Sequence, residues 1–271
     1  MFVSTPSLHR FEAGNQSKPP QHLGTRYDRQ GNFLPESGNT VVCHLTEGSP
    51  SRTAVLSARR RLMAISAPGR QAFTPSASLH MTLFGGVTET QRTAAHWPAE
   101  MPLDADIDDM TAFHLGRLRG FRGCGAFKVA VTEVTPLGLR LAGASSADEQ
   151  IMRAWRDTMT VPFGLRQPDH DSYGFHMTFA YMIDWLNEED VPIWRETLTE
   201  LLAVLLRDAP VLDLDPPAFC RFADMKHFEA LGLICRARYC AKPGPTFSPG
   251  ALGASPKVSG TGARPTDNGY P

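Results

Sequence analysis

Apolar positions recur along the chain with two periods, two residues and three to four, and these divide it into strands and helices. Thr40-Val41-Val42-Cys43-His44-Leu45 is a β-branched, apolar run behind the turn signal Gly38-Asn39, and it predicts a strand. Ser49-Pro50 then supplies an N-cap and a proline suited to the first helical turn, so a helix is expected to about residue 65. Its buried side would carry Val55, Leu56, Leu62 and Met63. Residues 78–84 alternate in type and run into Gly85-Gly86, which predicts a strand ending in a turn. Residues 104–118 place Ile107, Met110 and His114 at helical spacing, with aspartates near the start where the helix dipole favours them.

Two strands are expected over 127–134 and 137–141, joined at Pro136 or Gly138, followed by a helix over 147–159. Residues 174–181 read as one strand with the pattern of 78–84. The clearest helix follows, with Asn187 or Asp190 as cap and Trp194, Leu198, Leu201, Leu202 and Leu205 as its apolar stripe. Short strands are expected at 211–214, 219–222 and 231–234.

Neither end of the chain has such a period. Residues 1–30 are polar and mixed, which predicts a flexible N-terminal segment. Six prolines and six glycines fall within residues 241–271, a composition that cannot bury enough apolar surface to offset the entropy of ordering. A single domain over 31–240 with a disordered tail is therefore expected.

Composition adds exclusions. Hydrophobic residues make up 42% and charged residues 20%, as a packed core requires. Lys plus Arg number 27 against 28 Asp plus Glu, a net charge of -1, so the broad basic surface of a protein that grips long nucleic acid is absent. There is no apolar run long enough for a membrane span, and Met1-Phe2-Val3-Ser4-Thr5-Pro6 lacks the pattern of a secretory signal. The expectation is a cytoplasmic, monomeric protein with no membrane partner. Cys43, Cys124, Cys220, Cys235 and Cys240 are odd in number and scattered, which suggests free thiols and neither a disulfide framework nor a zinc site.

One pattern occurs twice. Leu79-His80-Met81-Thr82-Leu83 and Phe175-His176-Met177-Thr178-Phe179 both read apolar-His-Met-Thr-apolar, 96 residues apart. Side chains alternate across a strand, so each copy turns its apolar residues one way and an imidazole with a hydroxyl the other. A lone His-x-Thr in a strand is usually a hydrogen-bonded structural histidine. Two matching copies suit a reaction that needs two proton transfers. Hydrolysis of a phosphodiester takes a proton from water and gives one to the leaving oxygen, on opposite sides of phosphorus. Two imidazoles can hold both protonation states near neutral pH. Hydroxyls can donate to the non-bridging oxygens, where charge must be stabilised.

These motifs resemble the His-x-Thr/Ser signature of the two-histidine (2H) phosphoesterases, a superfamily with RNA ligase-like and cyclic phosphodiesterase members. Gly38-Asn39-Thr40-Val41-Val42-Cys43-His44, His80-Met81-Thr82-Leu83-Phe84 and Tyr173-Gly174-Phe175-His176-Met177-Thr178 together resemble a branch whose substrate is unassigned. The resemblance covers residues 32–233 and implies a bilobal α+β fold, two pseudo-symmetric, mostly antiparallel sheets with outer helices, and histidine strands facing each other across a central cleft. It implies metal-independent chemistry with no cofactor, with His80 and His176 catalytic and Thr82 and Thr178 on the phosphate. The expected substrate is a cyclic or 2′-linked phosphodiester of a nucleotide or a short RNA end. The rival expectation is a non-catalytic module that binds a phosphorylated, nucleotide-like ligand in the same cleft.

Other candidates are weaker. Tyr173, three residues before the second motif, could stack on a base or hold a phosphate oxygen. His44 and Phe84 could line the cleft, although the core is the usual place for both, and Lys226 could supply charge, although lysines are usually solvated. His170 and His176 lie six residues apart without a matched carboxylate set, so no metal site is expected.

Overall fold

A computed structural model describes residues 8–234. The fold is α+β. Strands β1 (Gly38–His44), β3 (His80–Thr88), β4 (Val129–Thr135), β5 (Gly138–Gly143), β6 (His176–Thr178), β8 (Ala218–Phe222) and β9 (Glu229–Leu233) form one sheet in the order β4-β5-β6-β3-β1-β8-β9, with every neighbour antiparallel. A second, two-stranded sheet pairs β2 (Gln71–Phe73) with β7 (Ala180–Met182). Four helices, α1 (Pro50–Ile65), α2 (Ile107–Leu118), α3 (Ser146–Phe163) and α4 (Val191–Asp208), complete it.

The alternation of β3 and β6 decides which face the helices cover. Met81, Leu83 and Met177 are buried in one cluster with Val55 and Leu62 of α1, Trp155 and Met159 of α3, and Leu198, Leu201 and Leu205 of α4. His80, Thr82, His176 and Thr178 alternate with those residues and point to the other face. Helix starts follow the expected chemistry: Ser49 Oγ accepts from Arg52 N at 3.1 Å, and Asn187 with Asp190 forms a capping box ahead of α4.

Several expectations are corrected. From Leu8 onward the N-terminal segment is not a flexible lead-in, because Leu8, Phe11 and Tyr27 are buried and Tyr27 Oη donates to the Met182 carbonyl at 2.5 Å. Gly85-Gly86 is no turn: β3 runs on to Thr88, and a Cβ on Gly86 would lie 2.2 Å from Asn39 Oδ1, so the glycine permits close approach to β1. Residues 174–181 make two strands in different sheets. Phe179 N donates to Leu137 O at 2.7 Å, and the chain then leaves β6 to pair with β2, which the sequence pattern did not reveal. Residues 211–214 make only single bridges, Leu212 to Val129 and Leu214 to Leu45. Met63 is exposed. The motif strands β3 and β6 are neighbours at the junction of the sheet's two halves, side by side and not opposed across a gap. The predicted tail, 241–271, lies outside the described residues.

Candidate active site

Register builds the site. Met81 pairs with Met177 in an antiparallel ladder, so His80 lies opposite Thr178 and Thr82 opposite His176. The four side chains share one face and form a quadrilateral with the histidines on one diagonal and the threonines on the other. Diagonal neighbours in such a pair are about 7–8 Å apart. A local two-fold axis between Met81 and Met177 relates the two motifs. All four side chains line a cleft of about 450 Å³.

The imidazoles are held alike. His80 Nδ1 lies 2.6 Å from the Ser78 carbonyl and His176 Nδ1 lies 2.9 Å from the Gly174 carbonyl, in each case two residues back along the chain. A carbonyl only accepts, so Nδ1 carries the hydrogen and Nε2 is left for a ligand. The surroundings differ. His176 is exposed, whereas His80 is partly buried against Phe228, with ring centroids 4.1 Å apart. Burial pushes the His80 pKa down to about 3.

Tyr173 lines the cleft and stands 5.9 Å, centroid to centroid, from His176, with its hydroxyl donating to the Thr82 carbonyl at 3.4 Å. Burial raises its pKa to about 12. His44 is the cross-strand partner of His80, with rings 6.1 Å apart, but is not part of the cleft lining. Phe84 is completely buried and packs on Phe163, so the core claims it and it cannot touch a ligand. Lys226 is outside the cleft, paired with Asp224 at 2.9 Å.

Sequence reasoning missed three contributions. Gln21, His22 and Arg26, in the segment expected to be flexible, wall the cleft beside Tyr181. Their signal was faint, consisting of isolated aromatics such as Phe11, Tyr27 and Phe33 in polar surroundings. Gln167 also lines the cleft, and its Nε2 donates to the Gly86 carbonyl at 2.9 Å. Arg156 had a legible signal, a cation on the apolar stripe of Met152, Trp155 and Met159. It is 1% exposed, yet among the described residues it has no carboxylate ion-pair partner. Its guanidinium donates to Leu83 O at 2.9 Å and lies 3.9 Å from the centroid of the Tyr173 ring, and its Nε has no partner among the described residues. A buried cation at the floor of a cleft gives that cleft a positive field. Among the described residues no three His, Cys, Asp or Glu side chains gather as metal ligands, and no helix is long and apolar enough to cross a membrane.

A family model and a solved structure match the chain. The family model that matches is 2H-phosphodiest, a domain of unknown function (DUF1868), over residues 26–140, a span that includes His80 and Thr82 and stops before His176. A crystal structure of a conserved protein of unknown function from Agrobacterium tumefaciens str. C58 is 44% identical, with a TM-score of 0.82 over 84% of this chain and 98% of that one. No curated protein matches. The chain belongs to the family of the Agrobacterium protein, and its residues 26–140 are similar to the 2H-phosphodiest domain.

Proposed function

We propose that the chain is a phosphodiesterase that hydrolyses a cyclic or 2′-linked phosphodiester of a nucleotide or short RNA end, by acid–base catalysis between His80 and His176 and without a metal ion. The observation that carries this reading is the diagonal of two imidazoles across two hydroxyls, each imidazole with its Nδ1 tied to a backbone carbonyl. Phosphorus sits at the centre of the quadrilateral. Thr82 and Thr178 donate to its non-bridging oxygens. His80, kept neutral by burial, takes a proton from water at Nε2 as the water oxygen bonds to phosphorus. The bond from phosphorus to the leaving ribose oxygen breaks, and His176 in its protonated form gives that oxygen the proton on Nε2. Exposed His176 then regains a proton from solvent and His80 gives up the one it took, which returns both imidazoles to their starting states. Arg156 lends positive potential from below without entering the reaction.

The test is a turnover screen on nucleoside 2′,3′-cyclic phosphates and 2′,5′-linked dinucleotides, with and without EDTA. Hydrolysis of at least one class at a rate indifferent to EDTA is expected. Saturable binding with no hydrolysis would make the cleft a binding module. Activity lost in EDTA and restored by zinc or manganese would replace the two-histidine reaction with a metal-assisted one.

A further inference from the structure

The space on the catalytic face does not end at His176. A second arm of about 400 Å³ continues past it, sharing His22, Arg26, His176, Thr178 and Tyr181 with the first. Its position follows from register. Arg140 on β5 pairs directly with His176, so the two side chains leave the sheet on the same face. Thr82, His176 and Arg140 thus form one row across three strands, each about 5 Å from the next. Gly138 pairs with Thr178 in the adjoining row and presents no side chain, which keeps the arm open beside the catalytic diagonal.

The charges in this arm are unequally answered. Arg26 is matched by the buried carboxylate of Glu36 at 2.6 Å. Arg140 has only Glu133, at 3.5 Å, and that pair is part exposed. Arg10 lines the same arm and has no carboxylate ion-pair partner among the described residues. Burial first and then the nearby Arg140 cation lower its pKa, with Glu133 opposing them. Glu133 is thus paired with Arg140 and acts on Arg10 only from beyond ion-pair distance, which leaves net positive charge beside the His80–His176 diagonal. Tyr181 and Trp185, both part exposed, give the arm an aromatic wall, a surface for the flat face of a base or ribose.

We infer that Arg10 and Arg140 form a second anion subsite, which takes a phosphate one nucleotide away from the one held between His80 and His176. This rests on the phosphodiesterase reading and narrows it. The substrate carries two phosphates on one nucleoside unit, as the end of an oligonucleotide does and a simple cyclic mononucleotide does not. Planar guanidinium groups on a phosphate make paired, charge-assisted hydrogen bonds, which is why arginines and not lysines suit the position.

Equilibrium binding tests the subsite without relying on turnover. Calorimetric titration at low salt compares adenosine 3′-monophosphate with adenosine 3′,5′-bisphosphate, which mimic product without and with the second phosphate. The wild-type protein should bind the bisphosphate about tenfold tighter or more. R10Q and R140Q should each remove most of that advantage, and Arg207→Gln, on the exposed end of α4, should keep it. An advantage under about twofold in the wild type, or one that survives both variants, overturns the subsite while leaving the phosphodiesterase reading intact. Binding of neither nucleotide would count against that reading and the subsite together. The discrimination without any hydrolysis in the turnover screen would support the subsite and reject catalysis.

Discussion

His80 and His176 solve one local problem twice. The proposed reaction has each exchange a proton through Nε2, which requires a fixed tautomer, and the carbonyl two residues upstream fixes it in both strands. Replacing either His by Ala should lower kcat about 10²- to 10⁴-fold on a verified substrate, with melting temperature little changed because neither side chain belongs to the helix-facing core. Thr82→Ala or Thr178→Ala should cost about 10²-fold, the loss of one donor to a developing charge. Wild-type turnover in either His variant would remove the mechanism. The two imidazoles also predict an asymmetric pH profile. The acid limb of kcat/KM reports the base in the free enzyme, and burial holds His80 near 3, so that limb should lie well below the ordinary histidine value of about 6.5. The alkaline limb reports loss of the proton destined for the leaving oxygen. An acid limb at or above 6.5, measured as kcat/KM from pH 4 to 9, would mean that His80 is not the base.

At the scale of elements, the face that carries the two motifs depends on two strands staying in register at a point where the chain is about to leave the sheet. β6 is only three residues long, and it is held from β5 through Gly138, whose φ is +136°. A Cβ there would lie 2.1 Å from the Met177 carbonyl, so Gly138→Ala must open the β5–β6 ladder next to Thr178. It should cost at least about 1–3 kcal/mol of stability and lower kcat as well. Gly116→Ala in α2, where nothing lies within 4 Å of the added carbon, should instead stabilise by about 0.5–1 kcal/mol. Urea denaturation of the two variants checks the opposite signs, and equal midpoints would refute the ladder argument. The same junction marks how far the sequence could be read. The His-Met-Thr copies were legible because alternation forces imidazole and hydroxyl onto one face whatever the rest of the fold does. That the two strands would be direct neighbours was not legible, since pairing across 96 residues leaves no local trace. Nor was the end of β6 at Thr178, because the apolar run continues through Phe179-Ala180-Tyr181 and only the tertiary bond to Leu137 O shows the exit. Phe84, offered as a possible cleft residue, lies in the core because the β1–β3 register shifts between Val41 and Val42, so that Leu83 and Phe84 are both buried.

Across the whole molecule, burial lowers the pKa of His22, His44, His80 and His114, three of them to about 4 or below, and this links stability to pH. His114 is fully buried in α2, where Nε2 donates to the Phe163 carbonyl at 3.2 Å and Nδ1 lies 3.2 Å from Asn39 Oδ1, which also accepts from Val87 N. Burial pushes its pKa down to about 4, aided by nearby Arg117. His22 is pushed down to about 4 and His80 to about 3, in each case chiefly by burial. An unfolded histidine titrates near 6.5. Between that value and the folded one, the unfolded chain binds a proton that the folded chain refuses, so protons favour unfolding. The stability is intact above about pH 6.5 and is lost as the pH falls toward 4, with a slope of about 1.4 kcal/mol per pH unit for each such group. For His114 alone the loss is on the order of 3 kcal/mol by pH 4. Because His22 lies on the N-terminal segment and His80 on β3, the loss is shared between the wall of the cleft and its floor. Urea midpoints measured from pH 7.5 to 4.5 should therefore fall steeply in the wild type, before most carboxylates begin to titrate. His114→Gln should start lower at pH 7.5, having lost packing, but decline with a shallower slope, since one of these groups no longer takes up a proton on unfolding. Parallel slopes for variant and wild type would show that His114 is protonated in the folded protein, and the buried pair with Asn39 and Phe163 would then have to accommodate a charge.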